Sequence, residues 1–356
     1  MSFVEKLIRP HLKDLVPYSS ARDEYTGNQG VFLDANENSI GSIGMGHWNR
    51  YPDPYQKEIK RLLANSRGLT ENQVFVGNGS DEPIDLLIRA FCEPGNDEII
   101  IFPPTYGMYR VSAGVNNVKV REILLTEDFQ PDVDQFEKQV NECSKIVFVC
   151  SPNNPTGNLI SVEKIESILK LSPGLVVVDE AYIDFSGEGS WVQHLDSYEN
   201  LVVLQTFSKA WGLASLRLGM AFAFHEVIEV LTSIKPPYNV SGPVQEMIIN
   251  ALRYPDVKRS WVERLLSERG KLKEALQELE IVEKIFPSDG NFFLVRFTDA
   301  KSTFHFLTKN KVIVRDRSNQ PLCENCLRIT VGTDNENHRL IQLLNTFAST
   351  ELIKKI

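Results

Sequence analysis

Along the first two thirds of the chain, short apolar runs recur, each closed by small and polar residues: VFV at 74 to 76, EIIIF at 98 to 102, KIVFVC at 145 to 150, LVVV at 175 to 178 and LVVLQT at 201 to 206. Such a run without alternation is the pattern of a strand covered on both faces. Between the runs the period changes to that of a helix. QKEIKRLLANSRGL places Ile59, Leu62 and Leu63 on one face and stops at Gly68, while EPIDLLIRAF and VEKIESILKL repeat the pattern. Strand and helix alternate from about 51 to 240, which predicts a mostly parallel sheet with helices on both faces.

Past residue 240 the pattern differs. VQEMIINALRYPDVKRSWVERLLSERGKLKEALQEL reads as helix broken once at Pro255, with Trp261, Leu265, Leu272, Leu276 and Leu279 on roughly one face. IVEKIFPSDGNFFLVRF, a helix AKSTFHFLTKN, and strands in KVIVRDRS and CLRITVG then predict a smaller α+β domain. At the other end, FVEKLIRPHLKDLV is amphipathic and YSSARDEYTGNQG polar, and a short strand VFLD runs into an Asn/Glu-rich loop. The expected organisation is α/β: an N-terminal arm over 1–30, a large domain over 51–240, and a small domain built from 31–50 and 241–356.

Composition narrows the partners. A net charge of -9 repels a nucleic-acid backbone, so an anionic substrate needs a local group of arginines. Charges interrupt MSFVEKLIRPHLKDLVP, and no run approaches the roughly 20 apolar residues of a membrane span. A soluble, cytoplasmic protein is expected, and five scattered cysteines fit a reducing compartment. Cys323 and Cys326 have metal-ligand spacing without a second pair, so no metal site is expected there.

The candidate chemistry gathers at strand ends, where open α/β sheets bind ligands. Lys209 follows LVVLQT in FSKAWG, where a partly desolvated amine can bond a carbonyl carbon, and Arg217 returns eight positions later as a fixed cation for phosphate. Asp179 and Glu180 end the buried run LVVV, which is costly unless a cationic partner exists, and Tyr182 follows. SPNNPTG supplies Asn154 as a neutral donor. In GNGSD a strand enters a helix whose first turn offers Gly79, Ser80 and backbone amides, with the anionic Asp81 opening it. The third glycine of a dinucleotide fingerprint is missing, since Pro83 or Ile84 stands there. Tyr106 can lay its ring against a flat ligand. Taken singly, each has a plain alternative: a solvated lysine, a helix cap, a core tyrosine.

In order and spacing, SPNNPTG, VVDEAY and SKAWGLASLRLG resemble the fold-type I aminotransferases that use pyridoxal 5'-phosphate. LVPYSSAR, LDANEN, NRYP, GNGSDE, FPPTYGMY and CLRITVG narrow the resemblance to the histidinol-phosphate aminotransferases, over about residues 8 to 345. The resemblance implies that Lys209 holds the cofactor covalently, that Asp179 partners the ring nitrogen, and that Asn154 and Tyr182 partner the ring oxygen. It gives Tyr106 the stacking role and makes Gly79, Ser80, Asp81, Ser208 and Arg217 the phosphate end, completed by Tyr51 of a second subunit in a homodimer. Arg328 is then the arginine for the substrate carboxylate, with Arg315, Tyr18 and Asn36 as further substrate contacts. The implied reaction interconverts histidinol phosphate plus 2-oxoglutarate with imidazole-acetol phosphate plus glutamate, in histidine biosynthesis. An aromatic amino-acid aminotransferase or a threonine-phosphate decarboxylase would share the cofactor motifs. One departure is Ser215, where the family commonly has glycine before Leu-Arg.

Overall fold

The computed structural model describes residues 2–20, 30–44 and 46–354, so the expected arm lies partly outside the described residues. Seven strands form the larger sheet: β1 (Val74–Asn78), β2 (Glu98–Ile101), β3 (Lys119–Glu122), β4 (Ser144–Cys150), β5 (Leu175–Asp179), β6 (Leu201–Thr206) and β7 (Leu218–Ala223). Their order is β1-β7-β6-β5-β4-β2-β3. β7 is antiparallel to both its neighbours, so β1 runs with the others and β7 alone is reversed.

The apolar runs behave as their lack of alternation predicts. Every residue of β5 and β6 is buried. Successive side chains nevertheless enter different layers, as a period of two requires: Val149, Val178 and Val203 join one apolar cluster, while Phe148, Val177 and Val202 join another. The first is closed by Ile59 and Leu63 of the helix Lys57–Arg67 and by Ile165 and Ile168 of the helix Val162–Leu171. The second is closed by Ile84 and Leu87 of the helix Asp81–Phe91 and by Val227 and Leu231 of the helix His225–Ile234. Each such side chain contributes roughly 1.5–3 kcal/mol of burial, which holds the strand ends in a fixed row.

The smaller sheet is antiparallel, in the order β10-β11-β9-β8: β8 (Val282–Ile285), β9 (Phe292–Phe297), β10 (Arg315–Asp316) and β11 (Cys326–Thr330). Leu307 of the helix Ala300–Lys309 and Leu340 and Leu344 of the helix Asp334–Lys354 share a cluster with Leu327. The helix Pro255–Gln277 links the regions, starting at the proline that broke the pattern.

Three expectations change. VFLD is not a strand: Val31 and Leu33 are 88% and 82% exposed and have no strand to pair with. KVIVRDRS contributes only the two residues of β10, because the chain turns through a positive φ at Lys311 after its helix. Trp261 leaves the buried stripe of its helix, which consists of Val262, Glu268, Leu272 and Leu276, and lies instead beside Gly212.

Candidate active site

Because all strands of the larger sheet except β7 run the same way, the ends of β1, β4, β5 and β6 open on one edge. There a cleft of about 530 Å³ is lined by Asp179, Lys209, Ser208, Arg217, Ser80 and Asp81. Tyr106, Asn154 and Tyr182 complete that wall, and Arg315 and Arg328 face it from the smaller sheet.

Asp179 is buried as the last residue of β5. Its Oδ2 accepts a hydrogen bond of 2.7 Å from the Tyr109 hydroxyl, and its Oδ1 accepts one of 3.1 Å from the Ala181 amide. Burial pushes the carboxyl up from its ordinary 3.8 to about 6, with those two hydrogen bonds opposing the rise. Tyr109 was not legible as a site residue in sequence. It is wholly buried and stacks on Phe148 with ring centroids 4.5 Å apart, which fixes the hydroxyl beneath Asp179.

At the opposite end lies a cradle for an anion. Gly79 has φ +78°, and a Cβ there would stand 2.7 Å from Arg217 Nη2, so glycine leaves the space into which the guanidinium points. Gly219 on β7 allows the close approach of this loop, since a Cβ would meet the Ser80 amide nitrogen at 2.2 Å. Ser80 stands at the N-cap of the helix Asp81–Phe91 but its hydroxyl does not cap it, leaving that group free of the ordinary helix-end duty. Arg217 donates to Ser208 Oγ at 3.4 Å and to the Ala214 carbonyl at 3.2 Å, and its Nη2 lies 3.5 Å from Asp81 Oδ2. Asp81 also accepts a 3.0 Å bond from the Tyr106 hydroxyl, so it anchors the aromatic ring and the arginine together. Ser215, the departure from the resembled pattern, is exposed within the 3-10 turn Ala214–Leu216.

Between these ends stands Lys209, its Nζ 5.6 Å from the Tyr182 ring centroid. The lysine is accessible from the cleft mouth, while the walls strip part of its hydration. That desolvation, then repulsion from Arg328 and Arg217, lowers its pKa from the ordinary 10.5. Tyr182 packs edge-on against Phe292 at 5.1 Å, and burial holds its hydroxyl protonated well above the usual range.

The antiparallel register sets Arg315 directly opposite Arg328. Arg328 donates to Asn154 Oδ1 and lies over the Phe292 ring at 5.3 Å, which ties the smaller sheet to the SPNNPTG turn. Arg315 makes no ion pair with Asp316 or any other acid among the described residues. Arg317 and Gln320 also line the cleft and were missed in sequence. The available signal was the alternation R-D-R, which puts both arginines of a strand on one face.

Three expected residues stay apart from the cleft within this chain. Tyr51 stacks on Tyr238 with centroids 4.4 Å apart. Tyr18 is 74% exposed and lines a separate groove with Lys60 and Lys235, and Asn36 is exposed. Cys323 and Cys326 lie in the apolar core. No group of three or more metal-ligating side chains occurs among the described residues, and none of their helices is long and apolar enough to cross a membrane.

The arrangement fits pyridoxal 5'-phosphate. A buried carboxylate stands for the ring nitrogen and an accessible, desolvated lysine for the aldehyde carbon. The space kept open at Gly79, with Ser80, Ser208 and Arg217 around it, suits the phosphate.

Residues 24–344 match the family model described as aminotransferase class I and II. The chain is 52% identical over 344 residues to a histidinol-phosphate aminotransferase of Cytophaga hutchinsonii, covering 97% of this chain and 99% of that one. It is 49% identical over 341 residues to one of Christiangramia forsetii, covering 95% and 96%. In fold it resembles the crystal structure of histidinol-phosphate aminotransferase from Sinorhizobium meliloti in complex with pyridoxal-5'-phosphate, with a TM-score of 0.78 at 19% identity, over 95% of this chain and 98% of that one.

Proposed function

The chain belongs to the class I and II aminotransferases, and from that premise we propose that it transfers the amino group of glutamate to imidazole-acetol phosphate, making histidinol phosphate. Near-full-length similarity to proteins of that activity carries the reading, and every cleft residue lies within the span matched by the family model.

Bound pyridoxal 5'-phosphate supplies an electron-withdrawing ring that makes the proton on the substrate's amino-bearing carbon removable. Gly79, Ser80, Ser208 and Arg217 would hold its phosphate, and Tyr106, anchored through Asp81, would stack on its ring. Asp179, held by Tyr109 and the Ala181 amide, keeps a proton at the ring nitrogen. Asn154 and Tyr182 border the ring oxygen. Lys209, whose lowered pKa makes the neutral amine more available than in an ordinary lysine, would be the base that moves the substrate proton. Arg328 and Arg315 bind the substrate's acid group. Histidinol phosphate has a phosphate ester where glutamate has its α-carboxylate, so Arg328 must serve both, and Arg315 is the second cation for the phosphate.

The reading includes a homodimer with shared sites, in which the N-terminal arm and the Tyr51 loop reach a neighbour, and Tyr18 and Asn36 are further substrate contacts. Val16, Val31, Leu33, Ile40 and Ile43 support this, since the N-terminal segment leaves them almost wholly exposed in a single chain. The free state of all five cysteines supports work in the cytoplasm.

The test is half-transamination of the purified yellow protein with histidinol phosphate, phenylalanine and threonine phosphate, followed by absorbance. Fastest conversion is expected with histidinol phosphate. A preference for phenylalanine, or release of carbon dioxide from threonine phosphate, would replace the reading.

A further inference from the structure

The smaller sheet presents the cleft with more positive charge than a carboxylate needs. Arg315 pairs with Arg328 across the β10–β11 ladder, and the ladder continues for one more rung, because the Arg317 amide donates to the Cys326 carbonyl at 2.9 Å. Side chains two apart on a strand share a face. Arg315 and Arg317 therefore project to the same side as Arg328, and all three line the cleft.

Arg317 differs from the other two in its surroundings. Its side chain is half-buried and its Nε is fully buried, without a hydrogen-bond partner. Neither an acid nor a carbonyl takes up its side-chain donors among the described residues. Burial first, and then repulsion from Arg328 and Arg315, lowers its pKa. Burying a donor of a guanidinium unpaired, next to two like charges, opposes folding. Arg317 lines the cleft with no carboxylate paired to it among the described residues, so its charge is left for a ligand, and three converging arginines match an anion of more than one charge.

We propose that Arg317 is a specificity residue that binds the phosphoryl dianion of the substrate, so that phosphorylated substrates gain more from it than carboxylate-bearing ones. The proposal rests on the reading of this cleft as the histidinol-phosphate site. Its chemistry is a two-pronged contact from the terminal guanidinium nitrogens to phosphate oxygens, since the buried Nε is closed to a ligand. Glutamate's α-carboxylate, which takes the place of the phosphate ester, needs only the Arg328 side of the cluster, and Arg317 is surplus to it.

The experiment measures binding of histidinol phosphate and of glutamate to the cofactor-loaded enzyme, through the cofactor's absorbance, and steady-state kcat and KM with each. Wild type is compared with Arg317→Gln and Arg317→Lys. In Arg317→Gln, histidinol-phosphate binding is expected to weaken roughly 10-fold to 100-fold, the range of a lost hydrogen bond to a charged group, with glutamate binding changed less than threefold. The pH dependence gives a second readout. The second phosphate ionisation lies near pH 6, so wild-type affinity should rise between pH 5 and 7, and Arg317→Gln should flatten that rise. Arg317→Lys keeps a charge but not the fork, so it should lose phosphate affinity to a smaller degree; it carries the test if the glutamine variant does not fold. Equal losses for both substrates, or unchanged affinity for histidinol phosphate, would overturn the proposal. If wild type itself fails to convert histidinol phosphate, the functional reading falls instead, and the two failures are thereby separate.

Discussion

Asp179→Asn should stabilise the cofactor-free protein while destroying the enzyme. Burial lifts the Asp179 carboxyl from 3.8 to about 6. At about 1.4 kcal/mol per unit this difference of roughly two units costs the folded state roughly 3 kcal/mol whenever the group is ionised. The sign follows from proton counts. The folded chain holds the Asp179 proton up to about pH 6, the unfolded chain only to about pH 4, so stability falls as pH rises through that window and the full cost stands above it. Asparagine never ionises, yet it can still accept from the Ala181 amide and meet the Tyr109 hydroxyl. The variant should therefore gain roughly 3 kcal/mol at pH 8 and about half of that at pH 5. Urea unfolding of cofactor-free wild type and variant, at both pH values and matched concentration, measures the difference. A gain independent of pH, or a loss at pH 8, would refute a carboxylate held charged at an energetic cost. In the loaded enzyme the same change should remove most turnover, since an amide does not keep the ring nitrogen protonated. On the proposed reading, a protonated ring nitrogen beside Asp179 would offset that cost.

Borohydride reduction of the loaded protein followed by peptide mapping should put the pyridoxyl label on Lys209, and a label on another lysine would displace it from the mechanism. Arg315→Gln should weaken histidinol phosphate by about 1.5 to 3 kcal/mol with a smaller effect on glutamate, whereas Arg328→Gln, which also loses the Asn154 contact, should damage both half-reactions. Equal small losses in Arg315→Gln would remove it from phosphate recognition. Mixing Lys209→Ala with Tyr51→Phe subunits should restore part of the activity through hybrid dimers, and an active monomer in sedimentation would contradict shared sites.

The central sheet and its catalytic edge were legible because their signals are local. A run such as LVVLQT has no polar face to expose, so it must be covered on both sides, and the residues that follow it necessarily emerge at the sheet edge. Lys209, Asp179 and Asn154 were found for that reason, and motif order then attached roles to them. VFLD had the same local signal but no partner strand among the described residues, and Val31 and Leu33 remained exposed.

What the sequence by itself determined was therefore which residues stand at strand ends, since burial of an apolar run and the period of two are properties of the run alone. Only the tertiary structure decided which distant groups those ends meet. Tyr109 reads as one more aromatic until the helix Met108–Val115 sets its hydroxyl 2.7 Å from Asp179. Arg317 drew no notice in the sequence until the pairing of β10 with β11 turned it into the cleft, where no acid among the described residues pairs with it. Charge pairing depends on distance through space, and distance through space is set by packing between segments that the chain separates, so it could appear only once the two sheets were in place.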